Sequence, residues 1–104
     1  MRKIPKMTLC LNSMLILHYE LKQKLVEWAN SKDAAELISA SVGIKLRKSL
    51  RSKMESCEEN YTIKFKAEEC FVIWKAYSEM PETLAMMPTD LAQLFTTIHQ
   101  TYFV

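Results

Sequence analysis

Between Tyr61 and Met80 the side-chain period of this chain changes from two residues to the helical repeat, and no other stretch restricts the fold as strongly. Tyr61, Ile63 and Phe65 alternate with Thr62, Lys64 and Lys66, the pattern of a strand with one face in water. From Ala67 onward Cys70, Trp74 and Tyr77 share one side at helical spacing, Phe71 and Ile73 widen that side, and Pro81 ends it. One short segment therefore offers both a strand face and an aromatic helix face, and the remaining elements must cover them.

A lone strand at 61–66 leaves its backbone donors and acceptors open, so the chain needs a second strand. Met7, Leu9 and Leu11 alternate with Thr8, Cys10 and Asn12 and supply one at 7–12, with Asn12 or Ser13 placed to cap the helix that follows. That helix runs over 13–29, and a longer one over 32–59 carries the stripe Ala35, Ser39, Val42, Leu46, Leu50, Met54 and Cys57. The phase survives Gly43, although glycine costs about 1 kcal/mol in a helix interior, so a bend or short interruption is expected at 41–44. After the strand at 61–66 come a helix at 67–79, a connection or short helical turn around Met80–Met86, and a last helix at 88–102 with Pro88 in its first turn. The expected fold is a helix-dominated α+β domain, a small helical bundle with a two-stranded antiparallel β element. An all-α bundle is the alternative if residues 7–12 simply begin the first helix. Residues 1–6 read as a flexible basic arm and 7–104 as one compact domain, in keeping with the size of the core that 104 residues can build.

Composition narrows the function classes. One glycine in the whole chain leaves no material for a phosphate-cradling loop, and no cofactor is expected. Cys10, Cys57 and Cys70 are too far apart for paired metal-ligand spacing and read as reduced thiols of a cytoplasmic protein. His18 and His99 lack the neighbouring ligands of a metal site, and the adjacent pairs Glu58–Glu59 and Glu68–Glu69 diverge around a helix instead of forming carboxylate dyads. No enzyme is expected from these residues, and no apolar stretch reaches the length of a membrane span.

Two features point to binding. In the first helix Met14, Leu17, Leu21, Leu25 and Trp28 form one stripe while Leu15, Tyr19 and Val26 form a second, and Phe103 and Val104 carry apolar character to the terminus. Two flanks require two neighbours, so Leu15, Tyr19, Val26, Phe103 and Val104 are the expected interface of a noncatalytic interaction or structural domain, pairing as a homodimer or with another protein. Met80, Met86 and Met87 form a soft patch that either meets a partner or fills one end of the core. The other feature is the basic stretch 45–53. Lys45, Arg47, Lys48 and Arg51 are candidate nucleic-acid contacts of a small regulator, with Gly43 as the turn of a poorly registered helix-turn-helix. A formal charge of only +2, and Glu55 four residues after Arg51, instead favour weak, nonspecific binding and an ordinary solvated face.

Overall fold

A computed structural model describes residues 2–104. The two alternating segments pair: β1 (Met7–Cys10) and β2 (Asn60–Ile63) form an antiparallel sheet in which Leu9 stands opposite Tyr61 and Met7 opposite Ile63. Leu9, Tyr61 and Ile63 turn into the core, while the Thr8 and Thr62 hydroxyls meet at 3.3 Å on the wet face. Five helices complete a helix-dominated α+β fold: α1 (Leu11–Ala29), α2 (Ala34–Met54), α3 (Ala67–Ser78), α4 (Pro81–Met86) and α5 (Thr89–Tyr102).

Both strands are shorter than their alternation. Helix α1 begins at Leu11 because Cys10, not Asn12 or Ser13, is its N-cap, with Sγ accepting the Ser13 N–H at 3.5 Å. Phe65 lies beyond β2 yet is buried, and the Lys66 N–H donates to Glu69 Oε1 at 2.8 Å as α3 starts.

Helix α2 passes through Gly43 unbroken, so the interruption expected at 41–44 is absent, and with it the turn that a helix-turn-helix would need. The glycine serves close approach. A Cβ there would stand 2.4 Å from Leu25 Cδ2 and 3.5 Å from Val72 Cγ1, and α1 against α2 is the most extensive pairing in the molecule. Gly43→Ala should therefore destabilise the fold by about 1 kcal/mol, because overpacking outweighs the gain in helix propensity. In a Leu25→Ala background the same change should stabilise, a sign reversal readable by urea denaturation. Helix α2 also stops at Met54, short of the expected residue 59. Cys57 adopts φ 52°, a left-handed conformation that ends the helical path and leaves its thiol exposed, off the core stripe.

Residues 2–6, most of the basic arm, lie against the fold. These have no regular structure, but Ile4, their one aliphatic residue, is 2% exposed and belongs to the core. Arg2 Nη1 donates to the Thr101 carbonyl at 3.1 Å, and the Tyr102 hydroxyl donates to the Arg2 carbonyl at 3.0 Å. Met1, also part of that arm, lies outside the described residues.

Two polar knots tie the layers together. Asp90 accepts the Cys10 N–H at 2.9 Å and the hydroxyl of the fully buried Ser13, fastening the β1–α1 junction to the start of α5. At the far end of α1, buried Lys24 reaches Glu27 and Glu79, each at 2.9 Å, and Glu79 also accepts from Lys75 at 2.7 Å and from Trp28 Nε1 at 3.1 Å. Burial alone would push the Glu79 pKa up, but the hydrogen bonds from Lys75, Lys24 and Trp28 and the Lys24 charge together hold it at about 2. Since this folded value lies below the unfolded 4.5, the ionised group adds stability above pH 4.5 that is lost as pH falls toward 2. The urea midpoint should fall across that window, and less steeply in Glu79→Gln.

Candidate functional site

Helix α1 has one buried side and one open one. Met14, Leu17, Leu21, Leu25 and Trp28 are in the core, whereas Leu15, Tyr19 and Val26 are 52%, 60% and 59% exposed. At about 100° per residue these three fall within a narrow stripe, which Leu11 extends toward the N-terminus and Lys22 interrupts. Helix α4 borders it. Leu15, Ile16 and Tyr19 form one wall of a groove of about 470 Å³, Thr83, Met86 and Met87 form the other, and Met86 is 86% exposed. Pro81 at the start of α4 and Pro88 after it confine that helix to six residues, which sets Met86 on the rim.

Glu20 is the one carboxylate lining this groove. The Tyr77 hydroxyl donates to its Oε1 at 2.5 Å, linking α3 to α1. Burial raises the Glu20 pKa, with the Tyr77 bond acting in the opposite direction. The Tyr77 hydroxyl is itself pushed well up, by burial first and then by its bond to Glu20 and that group's charge. The phenol therefore stays protonated at neutral pH and acts as a donor, and the pair is a structural tie under the groove.

The expected interface residues do not form one patch. Phe103 stacks on Trp74 with ring centroids 3.9 Å apart and planes 12° apart, and stands 6.4 Å from Phe71, so it covers α3. Val104 is exposed beyond it. Leu15 and Tyr19 instead share the α4 groove, with Met86 and Met87 from the soft patch.

On the α2 side of α1 the basic residues separate. Arg47 Nε donates to the His18 carbonyl at 3.0 Å and Arg47 Nη2 to His18 Nδ1 at 3.2 Å, which fixes the His18 proton on Nε2 when the ring is neutral. His18, Ile44, Arg47, Lys48 and Arg51 line a shallow basin, which Lys45 and Lys53 do not enter. The pairing of Arg51 with Glu55 is not formed; among the described residues the ion pairs gather on Lys24 and Lys75. Burial lowers the His18 pKa, and the charges of Arg47, Arg51 and Lys22 lower it further. Burial and then Arg51 likewise lower that of Arg47.

Cys70 is buried and its thiol is pushed up to about 12, by burial first and then by Glu69 and Glu68, so it is no nucleophile at neutral pH. Among the described residues no three His, Cys, Asp or Glu side chains are grouped to hold a metal ion, and no helix is long and apolar enough to cross a membrane. No family model matches the chain, and neither curated proteins nor solved structures yield a match.

Proposed function

We propose that this chain is a noncatalytic protein-interaction module that pairs with a second copy of itself through the outward stripe of α1 and the groove beside α4. The observation that carries the reading is the exposure of Leu15, Tyr19 and Val26 along one stripe, next to a Met86 rim that is more exposed still. From Leu11 to Val26 this surface extends about 22 Å along the helix. Scattered exposed apolar residues are ordinary, but an aligned run beside an apolar groove is the pattern of an interface. Self-pairing is favoured because ridge and groove lie on one face, so a two-fold axis sets the Met86 ridge of each copy beside the Tyr19 groove of the other. Lys22 can direct its ammonium to the rim while its stem packs. A reducing compartment, the cytoplasm, belongs to the same reading and rests on the unpaired thiols of Cys10, Cys57 and Cys70.

Light scattering coupled to size-exclusion chromatography over a wide concentration range tests this. The wild type is expected to pass from monomer to dimer, and Tyr19→Ser with Val26→Ser to remain monomeric with unchanged helicity. A wild type that stays monomeric throughout contradicts the proposal.

A further inference from the structure

We propose that the basin between α1 and α2, formed by His18, Ile44, Arg47, Lys48 and Arg51, binds a single phosphoryl group. Arg47 is already oriented for this. Its two bonds to the His18 carbonyl and ring hold the guanidinium in place, and three of its five N–H donors remain for a ligand. Arg51 follows one turn later on the same side, and Lys48 closes the basin. A guanidinium presents paired donors that match phosphate oxygens, so two of them one turn apart give directed contacts as well as charge.

The cluster lacks an internal counterion. Lys22, Arg47, Lys48 and Arg51 make no ion pair among the described residues, and no carboxylate lines the basin. The groups facing His18 are Lys22 on its own helix and Arg47 and Arg51 on α2, all cationic. A bound anion would relieve that repulsion. The extent of the site favours one phosphoryl group over a nucleic-acid backbone. The basin is about 220 Å³, and Lys45 and Lys53 lie outside it, so the basic stretch of α2 does not form one continuous track.

Inorganic phosphate titrated at fixed ionic strength, followed by NMR of the His18 ring and the Arg47 side chain, tests the site directly. Saturable shifts are expected, with the His18 titration moving to higher pH. Arg51→Gln should weaken the apparent affinity about tenfold, which is the loss of one charge-assisted contact. Arg51 makes no hydrogen bond or ion pair among the described residues, so this variant keeps the native structure even if Arg47→Gln does not. Vesicles containing phosphatidic acid, compared with phosphatidylcholine alone, distinguish a lipid headgroup from a soluble phosphate. Binding to the phosphatidic acid vesicles that Arg51→Gln weakens to a similar extent supports the lipid source, and binding to inorganic phosphate alone supports the soluble one. Shifts no larger than those caused by chloride at matched ionic strength overturn the proposal. So does a preference for DNA or RNA over inorganic phosphate that depends on Lys45 and Lys53.

Discussion

Truncating Trp28 to alanine is expected to remove about 4 kcal/mol of folding stability, the largest single loss anticipated for this chain. The side chain is fully buried at the end of α1, its Nε1 donates to Glu79 at 3.1 Å, and Lys75 Nζ lies 5.4 Å from the ring centroid. Alanine would leave a large cavity and remove one of the donors that keep Glu79 ionised. Trp28→Phe restores most of the volume but not the N–H, and should cost about 1–2 kcal/mol. Urea denaturation monitored by circular dichroism separates the two. Against a total stability of about 5–15 kcal/mol for a domain of this kind, the alanine variant should be marginal at room temperature.

Asp90→Ala is expected to cost about 3 kcal/mol, for a different reason. The carboxylate is the acceptor for the Cys10 N–H and for the Ser13 hydroxyl, and Ser13 has no solvent exposure. Removing it leaves two donors without their partner, each worth about 1–3 kcal/mol when buried. Burial pushes the Asp90 pKa up, but the bonds from Ser13, Cys10 and Leu91 prevail and lower it. Its contribution is thus present above the unfolded value of 3.8 and lost as pH falls below it. Asp90→Asn keeps one acceptor oxygen and should recover part of the loss. Amide exchange at Cys10 should accelerate in the alanine variant well before α2 becomes unprotected.

The period switch at Tyr61–Met80 was enough to place β2 and α3, and the matching alternation at Met7 led to β1 as its antiparallel partner. Those features are local and repeat along the chain, so they survive in one dimension. What sequence could not carry was contact across distance. Gly43 looks like a weak point in α2 until Leu25 is seen against it. Asp90 looks like an ordinary first-turn acid of α5, and nothing in the spacing announces that it will cap the junction eighty residues earlier. Lys24 falls on the apolar side of α1, beside Leu21 and Trp28, where a charge looks out of place until Glu79 is seen arriving from the end of α3 to pair with it. Local spacing likewise suggests a pairing of Arg51 with Glu55 that is not made among the described residues, although Glu55 keeps helical backbone angles as the C-cap of α2. The outward stripe of α1 could be read from periodicity, whereas its junction with Met86 required knowing where the two prolines direct α4.

Self-pairing through that stripe is most directly tested by recording amide spectra of isotopically labelled protein over a dilution series. The account predicts concentration-dependent shifts or broadening at Leu15, Tyr19, Val26 and Met86, with the amides of Phe71, Trp74 and Phe103 unaffected. Spectra that do not change with concentration, or changes centred on the Trp74–Phe103 stack, would contradict it.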